Sequence, residues 1–191
     1  MRSDPAAGQA ERSDSELVDA VRAGELTAFD ALVTRHARRA FSVAYRVMGK
    51  PEDAEDLVQD AFIAALVKID TFDATRSFEA WFYRILVNRG LDLRKARTRR
   101  QADEIPECSA SSGPSPLELL EKSELQEDLA RALAGLPPSQ RLVFQLYDLE
   151  GFSGPEIAEM LELPDGTARW HLHQARRALR DALSHHSRGV S

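Results

Sequence analysis

A single cysteine, Cys108, stands among 191 residues. One thiol excludes an internal disulfide framework and a four-ligand zinc site built from cysteines, and it fits a reducing compartment. No apolar run is long enough to span a bilayer, and the N-terminus lacks a signal-peptide core. The expectation is a cytoplasmic protein without membrane insertion. Histidine is scarce, and none lies near the acids of residues 51–60. The acid–x–x–His pairs of di-metal helical bundles are therefore missing. Strand–helix–strand alternation is missing as well, which removes a receiver or other α/β effector domain. What is plentiful is charge, and it is segregated. The net charge of −6 and pI near 5.4 argue, taken globally, against a nucleic-acid binder. Locally, 51–60 and 103–128 are acidic, whereas 77–100 and the last helix are cationic. Such blocks imply distinct partners for distinct surfaces, or internal masking of the basic ones.

Taken in order, residues 1–14 are polar and rich in small residues, and read as a disordered tail. A short helix over 16–23 is closed by Gly24. Thr27 is expected to cap a longer helix, with Asp30 as its capping-box acid and Phe29, Leu32, Val33, Phe41, Val43, Ala44 and Val47 as its apolar residues. Gly49 ends it, and Pro51 opens the next. This third helix, 51–69, buries Ala54, Leu57, Val58, Ala61, Phe62, Ala65 and Ile69. Asp53, Asp56 and Asp60 form a separate acidic face. A solvated face explains them better than a metal site, and a docking face for a basic partner stays open as a third reading.

The stretch 77–100, SFEAWFYRILVNRGLDLRKARTRR, changes character along its length. Ser77 is a good N-cap and Glu79 suits the first turn. Phe78, Trp81, Phe82, Ile85 and Leu86 recur at helical spacing. Arg84, Arg89, Arg94, Lys95, Arg97, Arg99 and Arg100 then face one acid, Asp92. An aromatic face running into a cationic one suits a phosphate backbone with unpaired bases. A core helix with a solvated end is the other reading.

Residues 101–117 carry Pro, Ser, Gly and acids without apolar periodicity, and read as a linker. A helix with Leu119, Leu120, Leu125, Leu129 and Leu133 follows, to Gly135. Pro137 and Pro138 open a helix with Leu142, Val143, Leu146 and Leu149, stopped by Gly151. Ser153 and Glu156 form a capping box around Pro155, and Ile157, Ala158 and Leu161 line that short helix. Residues 163–166 are expected to turn tightly, and a last helix runs over about 167–183 on Ala168, Leu172, Ala175, Leu179 and Ala182. Short capped helix, turn and longer basic helix make a helix-turn-helix. Arg169, Trp170, His173, Arg177 and Arg180 fall off its core stripe. An exposed tryptophan calls for a covering partner more than an exposed arginine does. The fold class is thus all-α: two helical domains, 15–100 and 118–184, joined by a flexible acidic linker, with a short tail at 185–191.

In order and spacing, DAEDLVQDAF (53–62), FEAWFYRILVNRGLDLRK (78–95) and the stretch 136–183 resemble the extracytoplasmic-function (ECF) group of the sigma-70 family of bacterial sigma factors. The resemblance implies partners and roles that the residues alone do not. Asp53, Asp56, Gln59 and Asp60 match the surface that docks on core RNA polymerase. Trp81, Tyr83, Arg84, Asn88, Arg89, Arg94 and Lys95 fall in the part that reads and melts the promoter −10 element, with Asn88 near a flipped-base pocket. Thr167, Arg169, Trp170, His173, Gln174, Arg176 and Arg177 fall in the −35 reader. Core RNA polymerase, promoter DNA and an anti-sigma factor are the implied partners. No catalytic residue, metal, cofactor or small-molecule substrate is implied.

The chain departs from the family where Trp170 replaces a small polar residue, His171 an arginine, and Gln174 a frequent arginine, so the −35 sequence cannot be inferred from this helix. Two rivals remain at this stage. One is a stand-alone helix-turn-helix regulator of operator DNA. The other is a metal-dependent helical enzyme using Asp53, Asp56 and Asp60. An oxidant-sensing role for Cys108 is weaker than that of an incidental thiol.

Overall fold

The computed structural model describes residues 12–103 and 124–184. All regular structure among them is helical, and the chain divides into two units, Met1–Asp103 and Glu104–Ser191. Cys108, His185, His186 and most of the expected linker lie outside the described residues; 101–103 continue a helix.

In the first unit, α1 (Asp14–Arg22) starts from a complete capping box: Glu16 N–H donates to Ser13 Oγ, and the Glu16 carboxylate accepts from Ser13 N–H. The second helix, α2 (Thr27–Met48), ends on Gly49 at φ 79°, a left-handed position that glycine takes without steric cost. The expected Thr27 cap does not form: Leu26 is the N-cap, in helical geometry and without a side-chain cap bond, because the turn 24–26 already brings Ala28 N–H and Phe29 N–H onto preceding carbonyls. Phe41, expected on the apolar face, is exposed and stacks on Tyr45.

Helix α3 (Pro51–Val67) passes through a 3₁₀ turn, Ile69–Thr71, to a connector and α4 (Phe78–Asp103). Ser77 caps α4, accepting from Ala80 N–H. The core is Leu17, Leu32, Val43, Leu57, Phe82 and Leu86, each fully buried and each worth about 1.5–3 kcal/mol. At its centre the Phe62 and Phe82 rings stack at 4.5 Å.

In the second unit, α5 (Glu124–Ala134) packs on α8 (Asp165–Ser184), with Leu129 and Leu133 against Ala175 and Leu179. Helix α6 (Pro138–Phe144) widens into a π turn, Gln145–Leu149. The wider turn carries Leu149 off the apolar face that simple periodicity assigned to it, and it is exposed. Helix α7 (Gly154–Met160) begins on the expected Ser153–Glu156 capping box.

The turn before α8 differs from expectation. Asp165 and Gly166 are already helical, since Thr167 N–H and Ala168 N–H reach Pro164 O. The left-handed residue is instead Glu162, φ 53°, and Leu163 N–H closes back on Ala158 O. This is a helix-ending motif that ordinarily takes glycine. Glu162→Gly is therefore expected to stabilise this unit by about 0.5–1 kcal/mol, relief of left-handed strain outweighing glycine's freedom when unfolded. A lowered thermal midpoint would count against it.

Candidate functional site

All four expected docking residues line one groove of about 320 Å³ between α3 and α4, with Met48, Leu57 and Leu93 beside them. Two of its carboxylates are already engaged by α4. Both Asp53 oxygens accept from Arg97, and Asp60 accepts from Arg89 at 2.9 Å. The Arg97 hydrogen bonds hold the Asp53 carboxyl below its ordinary range, outweighing its desolvation. The acidic block and the basic block, far apart in sequence, thus partly neutralise each other in space.

On α4, Trp81, Arg84, Asn88 and Lys95 follow at intervals of three, four and seven and share one face. Trp81, Arg84 and Asn88 are half-buried and Lys95 exposed. Arg89 lies on the flank toward α3, and Arg94 is exposed. Tyr83 does not belong to this set. It is 0% exposed and packs on Phe82, with the Arg39 guanidinium 5.6 Å from its ring centroid. Phe78, Trp81, Phe82 and Tyr83 spread over more than half the circumference of α4's first turns, so spacing did not tell which of them faced inward. Tyr83 supports the helix from within and presents no surface to DNA.

Behind α4 stands a polar contact that the sequence reading missed. His36, 7% exposed, lies on the apolar stripe of α2, with Phe78, Phe82 and Tyr83 around its ring. Its position four residues after Leu32 and four before Ala40 was the available signal. Its Nε2 is 2.9 Å from Asp14 Oδ2, and Arg35 also donates to Asp14. Burial pushes the Asp14 carboxyl up, but hydrogen bonds from His36 and Arg35, with their charges, outweigh it and hold Asp14 below the ordinary carboxylate range. A lowered folded value means stability present above the unfolded value and lost as pH falls through the folded one. In urea unfolding, wild type is expected to exceed Asp14→Asn at pH 5, the gap closing below about pH 4. A gap unchanged at pH 3 would remove Asp14 from the acid response.

In the second unit, Trp170, His173, Arg177 and Arg180 form an exposed stripe along α8, with Trp170 52% exposed. Arg169 is exposed and paired to Asp165 one turn back. Thr167 and Gln174 are half-buried at the stripe's edge. Arg176 is occupied otherwise: it donates to both Asp148 oxygens, at 3.1 and 2.6 Å, and lies 4.9 Å from the Tyr147 ring centroid. It ties α8 to the π turn. His171 turns inward, its Nδ1 buried without a hydrogen-bond partner among the described residues and its ring edge-on to Trp170 at 5.1 Å. Among the described residues, no three His, Cys, Asp or Glu side chains are grouped to hold a metal ion.

Comparison with known families adds the decisive observation. The family described as Sigma-70 region 2 matches residues 32–100, and that described as Sigma-70, region 4, matches 126–179. The ECF RNA polymerase sigma factor SigW of Bacillus subtilis is 32% identical over 85% of this chain and 92% of its own length. The chain belongs to the ECF group of the sigma-70 family. The ECF RNA polymerase sigma factor SigE of Mycolicibacterium smegmatis is 37% identical over 85% of the chain, which spans 64% of that relative. A solved structure of the sigma factor RpoE in complex with the anti-sigma factor NepR, from Bartonella quintana, aligns with a TM-score of 0.67 at 27% identity, over 82% of this chain and 96% of that one. In family terms, α2 to α4 carry region 2 and α5 to α8 carry region 4. The acidic groove and the Trp81 face both lie within region 2, and the exposed stripe of α8 within region 4.

Proposed function

We propose that this chain binds core RNA polymerase, directs it to promoters through −10 and −35 elements, and helps melt the DNA. The observation that carries the reading is the two-sidedness of α4, which turns Arg89 and Arg97 to the acidic groove with α3 and presents Trp81, Arg84, Asn88 and Lys95 on another face. Asp53, Asp56, Gln59 and Asp60 meet basic groups on polymerase. Trp81, Arg84, Asn88, Arg89, Arg94 and Lys95 receive the −10 strand. An unstacked base held there shifts the duplex toward the open form, because the protein binds that form better. Thr167, Arg169, Trp170, His173, Gln174 and Arg177 read the −35 element in the major groove. The working domains are 15–100 and 118–184. The phosphodiester chemistry is the polymerase's, and this chain contributes no catalytic residue. The complex of the related RpoE with NepR supports control of the free protein by an anti-sigma factor, and a cytoplasmic site of action accords with these partners.

The experiment is reconstituted transcription from a random promoter library with core polymerase. Transcripts are expected only when both components are present. Tight, sequence-specific binding of the chain alone to duplex DNA, with no polymerase capture, would replace this reading by that of a stand-alone operator-binding regulator.

A further inference from the structure

The connector 72–77, which joins the α3 end to α4, is held from outside by one residue of α1. Arg22 Nε and Nη2 both donate to Ile69 O, at 3.2 and 2.8 Å, and Nη2 also donates to Phe72 O. The guanidinium carbon lies 5.9 Å from the Phe72 ring centroid. Phe72 is buried and leans on Trp81 at 5.4 Å and on Phe78 at 5.8 Å. Downstream of Phe72, Thr75 donates to the Asp73 carboxylate and Arg76 N–H to Asp73 O, before Ser77 caps α4. A chain of direct contacts therefore runs from Arg22 through two carbonyls and one ring to Trp81.

We propose that Arg22 is a positioning residue for promoter opening, fixing the Phe72 connector so that Trp81 stands ready for the −10 strand. The assignment rests on the reading of the Trp81 face as the melting surface. Arg22 itself contacts no DNA. It acts by removing alternative placements of Phe72, and so reduces the ordering cost when a base reaches Trp81. Three donor contacts from one cation to two carbonyls are more than α1 needs to pack, since Leu17, Val18 and Val21 already bury its apolar face.

The test uses the full chain with core polymerase on a duplex promoter selected by the wild-type holoenzyme, and follows opening by permanganate reactivity of unpaired thymines. Arg22→Met keeps the side-chain stem and loses the donors. It is expected to slow opening about tenfold, since part of the cost of losing these three charge-assisted contacts reaches Trp81, with Arg22→Lys intermediate. On the same promoter carrying a mismatched, pre-opened −10 segment, both variants are expected to match wild type, and polymerase capture should be unchanged. In a Trp170→Phe background Trp81 is the remaining indole. Its emission in Arg22→Met should shift to the red and be quenched more readily by acrylamide.

Equal opening by wild type and Arg22→Met, or an unchanged Trp81 signal, overturns the proposal. Equal loss on duplex and mismatched templates also overturns it, because that is the mark of general damage. If Arg22→Met fails to fold, Arg22→Lys carries the same comparison with the cation retained. A wild-type chain that core polymerase captures but that opens no promoter would overturn the melting reading itself, and this assignment with it.

Discussion

Asparagine at both Asp53 and Asp60 is expected to weaken capture of core RNA polymerase by about tenfold or more, since truncating a partner of an interfacial charge pair commonly costs about 2–5 kcal/mol. The same double variant is expected to bind single-stranded DNA more tightly as an isolated chain. Both effects follow from one geometry. Arg97 spends its hydrogen bonds on Asp53, and Arg89 on Asp60. Removing the two charges leaves both arginines available and moves the net charge from −6 toward neutrality. Each arginine gained by a strand should steepen the salt dependence by about 0.7 in log–log slope. Folding should hardly change, because partly exposed ion pairs contribute about 0–1 kcal/mol. Fluorescence anisotropy with a labelled −10 oligonucleotide at several salt concentrations, beside a polymerase pull-down, measures both arms. Capture equal to wild type would refute the docking assignment. Weaker DNA binding would refute the masking.

The second large effect is expected at Gly90, and it concerns stability. Gly90 is buried in α4, facing Val47 of α2 and Leu57 of α3. A Cβ built there would meet Val47 Cγ1 at 2.7 Å and Leu57 Cδ2 at 2.8 Å. The valine cannot easily yield, because its branched Cβ has one strongly preferred rotamer in a helix. The leucine sits fully buried among core neighbours. Alanine would gain up to about 1 kcal/mol of helix propensity, against about 1–3 kcal/mol for overpacking. We expect Gly90→Ala to be net destabilising by about 1 kcal/mol, and Gly90→Val, which loses the propensity gain and adds two methyl groups, by more than about 3 kcal/mol. Chemical denaturation of the full chain in a Trp170→Phe background, read at Trp81, checks this. A Gly90→Ala variant as stable as wild type would mean that α2 shifts away at little cost. Because α3 carries the carboxylates and α4 the Trp81 face, a wedge at Gly90 should also weaken both binding activities together.

Much was legible before the structure. The Ser153–Glu156 box was readable because a cap is satisfied within four residues of chain. Helix stops at Gly49 and Gly151 were readable because few other residues take their positive φ easily. The exposed stripe of α8 was readable because a regular helix places Trp170, His173, Arg177 and Arg180 by arithmetic alone. Boundaries failed where two local solutions competed, as at the turn before α8, where Pro164 lets its carbonyl start the helix and Glu162 accepts the strained position.

What the sequence by itself determined is the all-helical class, the order of the elements and the segregated blocks of opposite charge, since each depends on spacing and composition within a few turns. Which side of α4 faced inward was left to the tertiary structure, because aromatics spread over more than half of its first turns and only packing against α2 and α3 could choose Tyr83 for the core and Trp81 for the edge. The pairing of Asp53 with Arg97, the hold of Arg22 on the connector and the need for glycine at position 90 were decided there too. Each joins residues more than thirty positions apart, and no periodicity within a helix records which distant neighbour its side chains will meet.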